Sequence, residues 1–195
     1  MRANPELRRK VYMRKILIAL MSAGAGVALT LALGVPAQAQ EAAPTEVAGV
    51  TAELDGQVFD LSQGWGDAET CLEEPDGAPT DFRCYAGEDS HLETQSLDDC
   101  PSDHVCLWES AQFGGEMVGF TSSGNHDLGN IGWRDRASSF YNNRSTTVTF
   151  VDFRSGIIAD RWIRYEAGNI VADLSSIPYP DGGSWDNKID RVTLP

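Results

Sequence analysis

Past the first forty residues, no stretch of this 195-residue chain sustains a 3.6-residue apolar period. From about residue 100 the apolar residues alternate instead. "EMVGF", "TVTFVDF" and "RWIRYEA" each read as a half-buried strand, bounded by clusters of Gly, Asn, Asp or Ser. One helical turn fits in "LSSIPYP" before Pro178. Short strands and tight turns over roughly 95 residues suffice for one small β-domain with a single core. Within "CPSDHVCLWESAQFGGEMVGF" (100–120), Trp108 and Phe113 lie five residues apart. Odd spacing puts two residues on opposite faces of a regular strand, so the chain must fold back for both rings to reach one side. Gly114 and Gly115 permit the required bend. The stretch is the punctuation of a β-hairpin, not a redox motif.

The cysteines fit that reading. Cys71, Cys84, Cys100 and Cys106 are even in number, and an exported chain uses an even set first for disulfides. Three pairings are open. The sequence-local one, Cys71–Cys84 with Cys100–Cys106, is expected; it ties off a Pro/Gly loop and pins the start of the β-domain. Zinc needs ligands at short spacings such as C-x₂-C, and separations of thirteen and six do not provide them.

Export is read from the N-terminus. A basic stretch, Arg8–Lys15, precedes an apolar, small-residue run, Ile16–Val35, and then Ala37-Gln38-Ala39. This is the layout of a secretory signal peptide over 1–39 with an A-x-A cleavage site. Its removal takes six of the fifteen basic residues and one of the twenty-nine acids, leaving nine against twenty-eight, a net charge of −19. Residues 40–99 hold sixteen acids and the single base Arg83. Such a surface excludes nucleic acid as a partner and is compatible with a cation or a basic protein surface. Residues 40–98 carry Pro, Gly and Ala with few large apolar side chains, which predicts a mostly irregular region with one short strand or turn at "GQVFDLS".

Catalytic patterns are missing: there is no G-x-S-x-G, H-E-x-x-H or P-loop. His91, His104 and His126 sit in polar contexts that predict solvated surface residues. No carboxylate pair stands out as an acid/base dyad. A non-enzyme is expected.

Aromatic-x₄-aromatic-x-Gly is also the hairpin signature of βγ-crystallin Greek keys. About twenty residues on, "WRDRASSF" (133–140) resembles the crystallin calcium stretch, Asx-Asx-x-x-Ser/Thr-Ser. Asp135, Ser138 and Ser139 are in place, while Arg134 replaces the first Asx. In the second half, "FVDFRSG" (150–156) is a shortened hairpin signal with the wrong aromatic spacing. "WDNKIDRV" (185–192) resembles the second calcium stretch, with Asp186 and Asn187 as the Asx pair and Asp190 and Arg191 in place of Ser/Thr-Ser. Together with the leader and "C-P-x₄-C-L-W-E", these features resemble peptidase inhibitor family I36, secreted actinobacterial proteins that include a metalloproteinase inhibitor of βγ-crystallin fold. The resemblance is good over 99–145, loose over 146–195 and absent from 40–98.

It implies an all-β, two-Greek-key, βγ-crystallin-like sandwich over 99–195, preceded by the acidic region. Trp108, Phe113, Phe120, Phe140, Phe150, Trp162 and Val192 are the expected core residues. The implied function is a secreted, monomeric inhibitor of an extracellular protease, requiring no cofactor and leaving no membrane contact after leader cleavage. The alternative is a calcium-binding crystallin module. Its implied ligands are Asp135, Ser138, Asp186, Asn187 and Asp190, oxygen donors suited to a hard cation.

Overall fold

The computed structural model describes residues 49–75, 78, 80–87 and 96–195. The expected signal peptide and His91 lie outside the described residues. Twelve strands are found among them, and none of the described helices is long and apolar enough to cross a membrane.

The eight C-terminal strands form two Greek keys. The first comprises β5 (Val105–Ser110), β6 (Gly114–Phe120), β7 (Gly124–Asp127) and β8 (Ser139–Asn142). The second comprises β9 (Val148–Asp152), β10 (Arg161–Tyr165), β11 (Ile170–Val171) and β12 (Arg191–Leu194). Each key gives its third strand to the other's sheet, so that β11-β8-β5-β6 faces β10-β9-β12-β7. Neither key can bury its apolar face alone, and the exchange makes one core between the two sheets. Phe140 meets Phe150 edge-on with ring centres 4.8 Å apart, and Tyr165 lies 4.5 Å from Phe140. Trp133 and Trp185, which precede the two calcium-like stretches, are both fully buried in this core.

The first hairpin folds back as its spacing predicts. Gln112 and Phe113 take left-handed backbone, φ 60° and 62°, and Gly115 follows at φ 77°. The turn brings Phe113 edge-on to Trp108 at 5.3 Å. A Cβ at Gly115 would come within 3.1 Å of Glu109 Cβ, so this glycine is needed for close approach as well as for its φ. The Cys100–Cys106 disulfide packs beneath the pair, with Met117.

Two expectations are corrected here. Trp162 is not in the core; it is 65% exposed. In β10, Arg161, Ile163 and Tyr165 take the inward pleat, with Ile163 and Tyr165 packed on the core, and parity sends Trp162 to solvent. The described part of the acidic region is also not irregular. Residues 51–86 hold β1 (Thr51–Leu54), β2 (Gln57–Asp60), β3 (Ala68–Glu73) and β4 (Phe82–Ala86). They continue the first sheet in the order β6-β3-β4-β1-β2, with β3 parallel to β6. Cys71 and Cys84 are directly opposed in the β3–β4 pair and are disulfide-bonded.

Composition misled because most of the segment's few large apolar residues join the shared core, although Val58 and Tyr85 stay exposed. Ala52, Leu61, Trp65 and Phe82 are buried against it. Trp65 stacks on Trp133 with ring centres 6.2 Å apart, and its indole N–H donates to the Ile131 carbonyl at 2.8 Å. At the seam, a Cβ on Gly119 would lie 2.6 Å from Leu72 Cδ2, so the bare backbone of β6 lets β3 approach.

Candidate functional site

The two calcium-like stretches meet by reciprocal backbone bonds. The Asp135 N–H donates to the Ile189 carbonyl at 3.2 Å, and the Asn187 N–H donates to the Ala137 carbonyl at 3.0 Å. Asp135 and Asn187 occupy matching places in the two keys and share left-handed backbone, φ 56° and 53°, which Asx residues tolerate better than most. This crossing creates two related positions, and they differ in chemistry.

At the first, Asp135, Asp152 and Asp190 each offer a carboxylate oxygen, and the three oxygens lie within 4.8 Å of one another. Asp152 and Asp190 are buried while Asp135 faces solvent. Asp190 Oδ2 accepts from the Phe153 N–H at 2.6 Å, and Asp152 accepts from the Tyr179 hydroxyl. Burial pushes the Asp190 carboxyl above the ordinary aspartate range, and the like charges of Asp135 and Asp152 push it further. Arg134, which replaces an Asx in the sequence motif, is turned onto Asp127 in a forked ion pair with contacts of 2.6–2.9 Å. That hydrogen bonding holds the Asp127 carboxyl below its usual range. The guanidinium carbons of Arg134 and Arg191 lie 4.9 and 5.2 Å from the centre of the Phe153 ring.

The second position has no such cluster. The Asn187 side-chain amide, with its NH₂ toward the neighbouring stretch, donates to the Asp135 and Arg136 carbonyls at 3.3 and 3.1 Å. Ser138 is held through its backbone, its N–H donating to Trp108 and its carbonyl accepting from Leu174, each at 2.8 Å. Arg136 pairs with both Glu109 and Glu116 at 2.8 Å. Of the five sequence-derived ligands, Asp135 and Asp190 therefore converge. Asp186, Asn187 and Ser138 do not join a carboxylate cluster. Asp152 was missed, although an acid at an inward-parity position of a strand, Val148-x-Phe150-x-Asp152, is the signal that finds it.

The histidines depart from expectation in one case. His126 is not solvated: its ring lies 4.8 Å from Phe120, its Nε2 is 2.9 Å from the Ser122 carbonyl and its Nδ1 is 3.6 Å from Glu73. His104 makes only backbone contacts, the nearer with the Ser102 carbonyl at 3.1 Å.

Comparison with known sequences gives one family match. Residues 93–153 match the model of peptidase inhibitor family I36. The I36 match spans the disulfide-pinned start, the folded hairpin and the first strand of the second key. Two solved structures are similar. One, described as "Evolution of the eye lens beta-gamma-crystallin domain fold", has 24% identity and a TM-score of 0.37, covering 48% of this chain and 87% of its own. The other, a βγ-crystallin from Ciona intestinalis, has 19% identity and a TM-score of 0.35, covering 47% and 99%. No curated protein matches the chain.

Proposed function

We propose that the protein is a secreted inhibitor of an extracellular peptidase, acting as a rigid monomeric binding partner with no catalysis of its own. The observation that carries this reading is the I36 match over 93–153. The architecture is suited to it. A loop held rigidly on a packed β-sandwich loses little conformational entropy on docking, so more of its contact energy is expressed as affinity. Two disulfides and the absence of free cysteines among the described residues accord with an oxidising compartment, as does the leader-like N-terminus. The test is to assay the purified chain against a panel of metallo- and serine peptidases, with and without calcium. Absence of inhibition across the panel overturns the reading.

A second reading, compatible with the first, is supported by the Asp135–Asp152–Asp190 cluster. Three carboxylate oxygens crowded within 4.8 Å, two of them buried, repel unless a proton or a cation is held between them. Calcium takes oxygen donors in flexible geometry. Among the described residues there is one such place rather than two, and Arg134 already offsets part of its negative charge. We therefore assign it one weak site, in the range of about 10⁻⁴–10⁻³ M typical of extracellular modules. Calorimetric titration of calcium into the purified chain tests this.

A further inference from the structure

The second hairpin departs from the first at the place where its sequence motif breaks down. In β5–β6 the loop aromatic, Phe113, folds back onto Trp108. In β9–β10 the spacing "FVDFRSG" provides no such ring, and a longer connection runs over 153–160. Its tip carries Ile157, fully exposed, and Ile158, half exposed, at a turn through Gly156 with φ 73°. Two adjacent aliphatic side chains in water contribute nothing to the core, and Ile157 is the most exposed large hydrophobic residue described.

The tip is apolar, but its base is fastened by polar bonds. The Arg154 N–H donates to Asp160 Oδ1 at 3.0 Å, closing the loop across its neck. Arg154 and Arg161, at either end, both reach the single carboxylate of Asp181, at 2.5 and 2.8 Å. Arg154 also donates to the Tyr179 hydroxyl at 2.9 Å, and Tyr179 in turn donates to buried Asp152. Two guanidinium groups on one acid hold the Asp181 carboxyl down to about 2, Arg161 being the larger influence. The neck is thus tied at both ends to one residue of the neighbouring loop.

We infer that 153–160 is the inhibitory loop, with Ile157 and Ile158 entering apolar subsites of the target peptidase's substrate cleft. The inference rests on the inhibitor reading above. The clamp explains how an exposed loop resists cleavage: a segment held at both ends cannot relax away from the bound geometry, and it pays its ordering cost during folding rather than on docking. All of the loop but its first residue, Phe153, lies beyond the I36-matched segment, so nothing in that match assigns it. Asp181 is a positioning residue that never touches the peptidase.

The experiment uses the full purified chain, the peptidase most strongly inhibited in the panel, and two variants. Ile157→Ser/Ile158→Ser removes the tip; Asp181→Asn loosens the neck. Both alter exposed positions, and an unchanged thermal midpoint verifies folding. The tip variant should weaken inhibition by roughly 30-fold or more, as expected for paired central anchors. Asp181→Asn should weaken it less while raising the rate at which the peptidase cleaves within 155–158, read by mass spectrometry. Loss of core packing alone would not produce site-specific cleavage at an unchanged midpoint. Wild-type inhibition that survives in the tip variant to within about twofold overturns the loop assignment and leaves the inhibitor reading intact. Wild-type protein that inhibits nothing overturns both.

Discussion

Trp65→Ala is the most informative perturbation of the fold, because it tests whether the acidic N-terminal segment belongs to the same cooperative unit as the two Greek keys. Trp65 is almost wholly buried, stacks on Trp133, and donates its indole N–H to the Ile131 carbonyl. An indole removes roughly 150–250 Å² from water. At about 25 cal/mol per Å² that is about 4–6 kcal/mol as an upper limit. Measured large-to-small core changes of this kind cost about 3–5 kcal/mol. The variant should therefore lose about 3–5 kcal/mol, a large share of the 5–15 kcal/mol that holds a typical domain together. Urea unfolding followed by tryptophan fluorescence and by far-UV circular dichroism measures it, the two probes moving together in one transition. Trp65→Phe keeps most of the ring and removes the donor. Leaving the Ile131 carbonyl unpartnered should cost about 1–3 kcal/mol, within range even if the alanine variant fails to fold. A loss below about 1 kcal/mol in Trp65→Ala, or two separate transitions in the wild type, would refute the shared core.

The remaining predictions concern the acids and the disulfides. Calcium titrated into the purified chain should give one weak site that Asp152→Asn abolishes; a flat response to about 10 mM removes the metal reading. Asp190 is raised in the fold, so its ionised form is disfavoured there. Below the ordinary aspartate range both states hold the proton; as pH rises past it, the folded form loses stability relative to the unfolded. Asp190→Asn should thus raise the thermal midpoint at pH 7 relative to wild type and do little at pH 3, with added calcium shrinking the gap at pH 7. Equal effects at both values would contradict the burial argument. Non-reducing peptide mapping should recover Cys71 linked to Cys84 and Cys100 linked to Cys106. Reduction of the pair should cost about 2–4 kcal/mol per bridge, seen as a lower denaturation midpoint.

Much of this was legible in the residues, and for local reasons. The alternation of "TVTFVDF", the Trp108–Phe113 spacing, the Gly pair and the sequence-near cysteines are each short-range constraints on the backbone, and each is met in the structure. The convergence of Asp135 and Asp190 was readable from two related motifs. Other features depended on partners far along the chain. Alternation gives a period but not which parity faces the core, so the outward position of Trp162 is not legible in it. Asp152 was overlooked because its role arises only where β9 ends beside Asp190, thirty-eight residues later. His126 looked polar in sequence and lies against Phe120 in space.

The acidic segment shows the limit most clearly. Sixteen acids and few large apolar residues in 40–99 cannot sustain a separate core, and composition registers that correctly. What composition does not contain is the open edge of β6, where β3 docks in parallel over Gly119, or the slot beside Trp133 that Trp65 fills. The sequence by itself determined the strand periodicity of the C-terminal half and its turns, and favoured the local cysteine pairing. Only tertiary structure decided that the segment folds, because its strands borrow a sheet edge and an apolar surface supplied by residues 47 and 66 positions away.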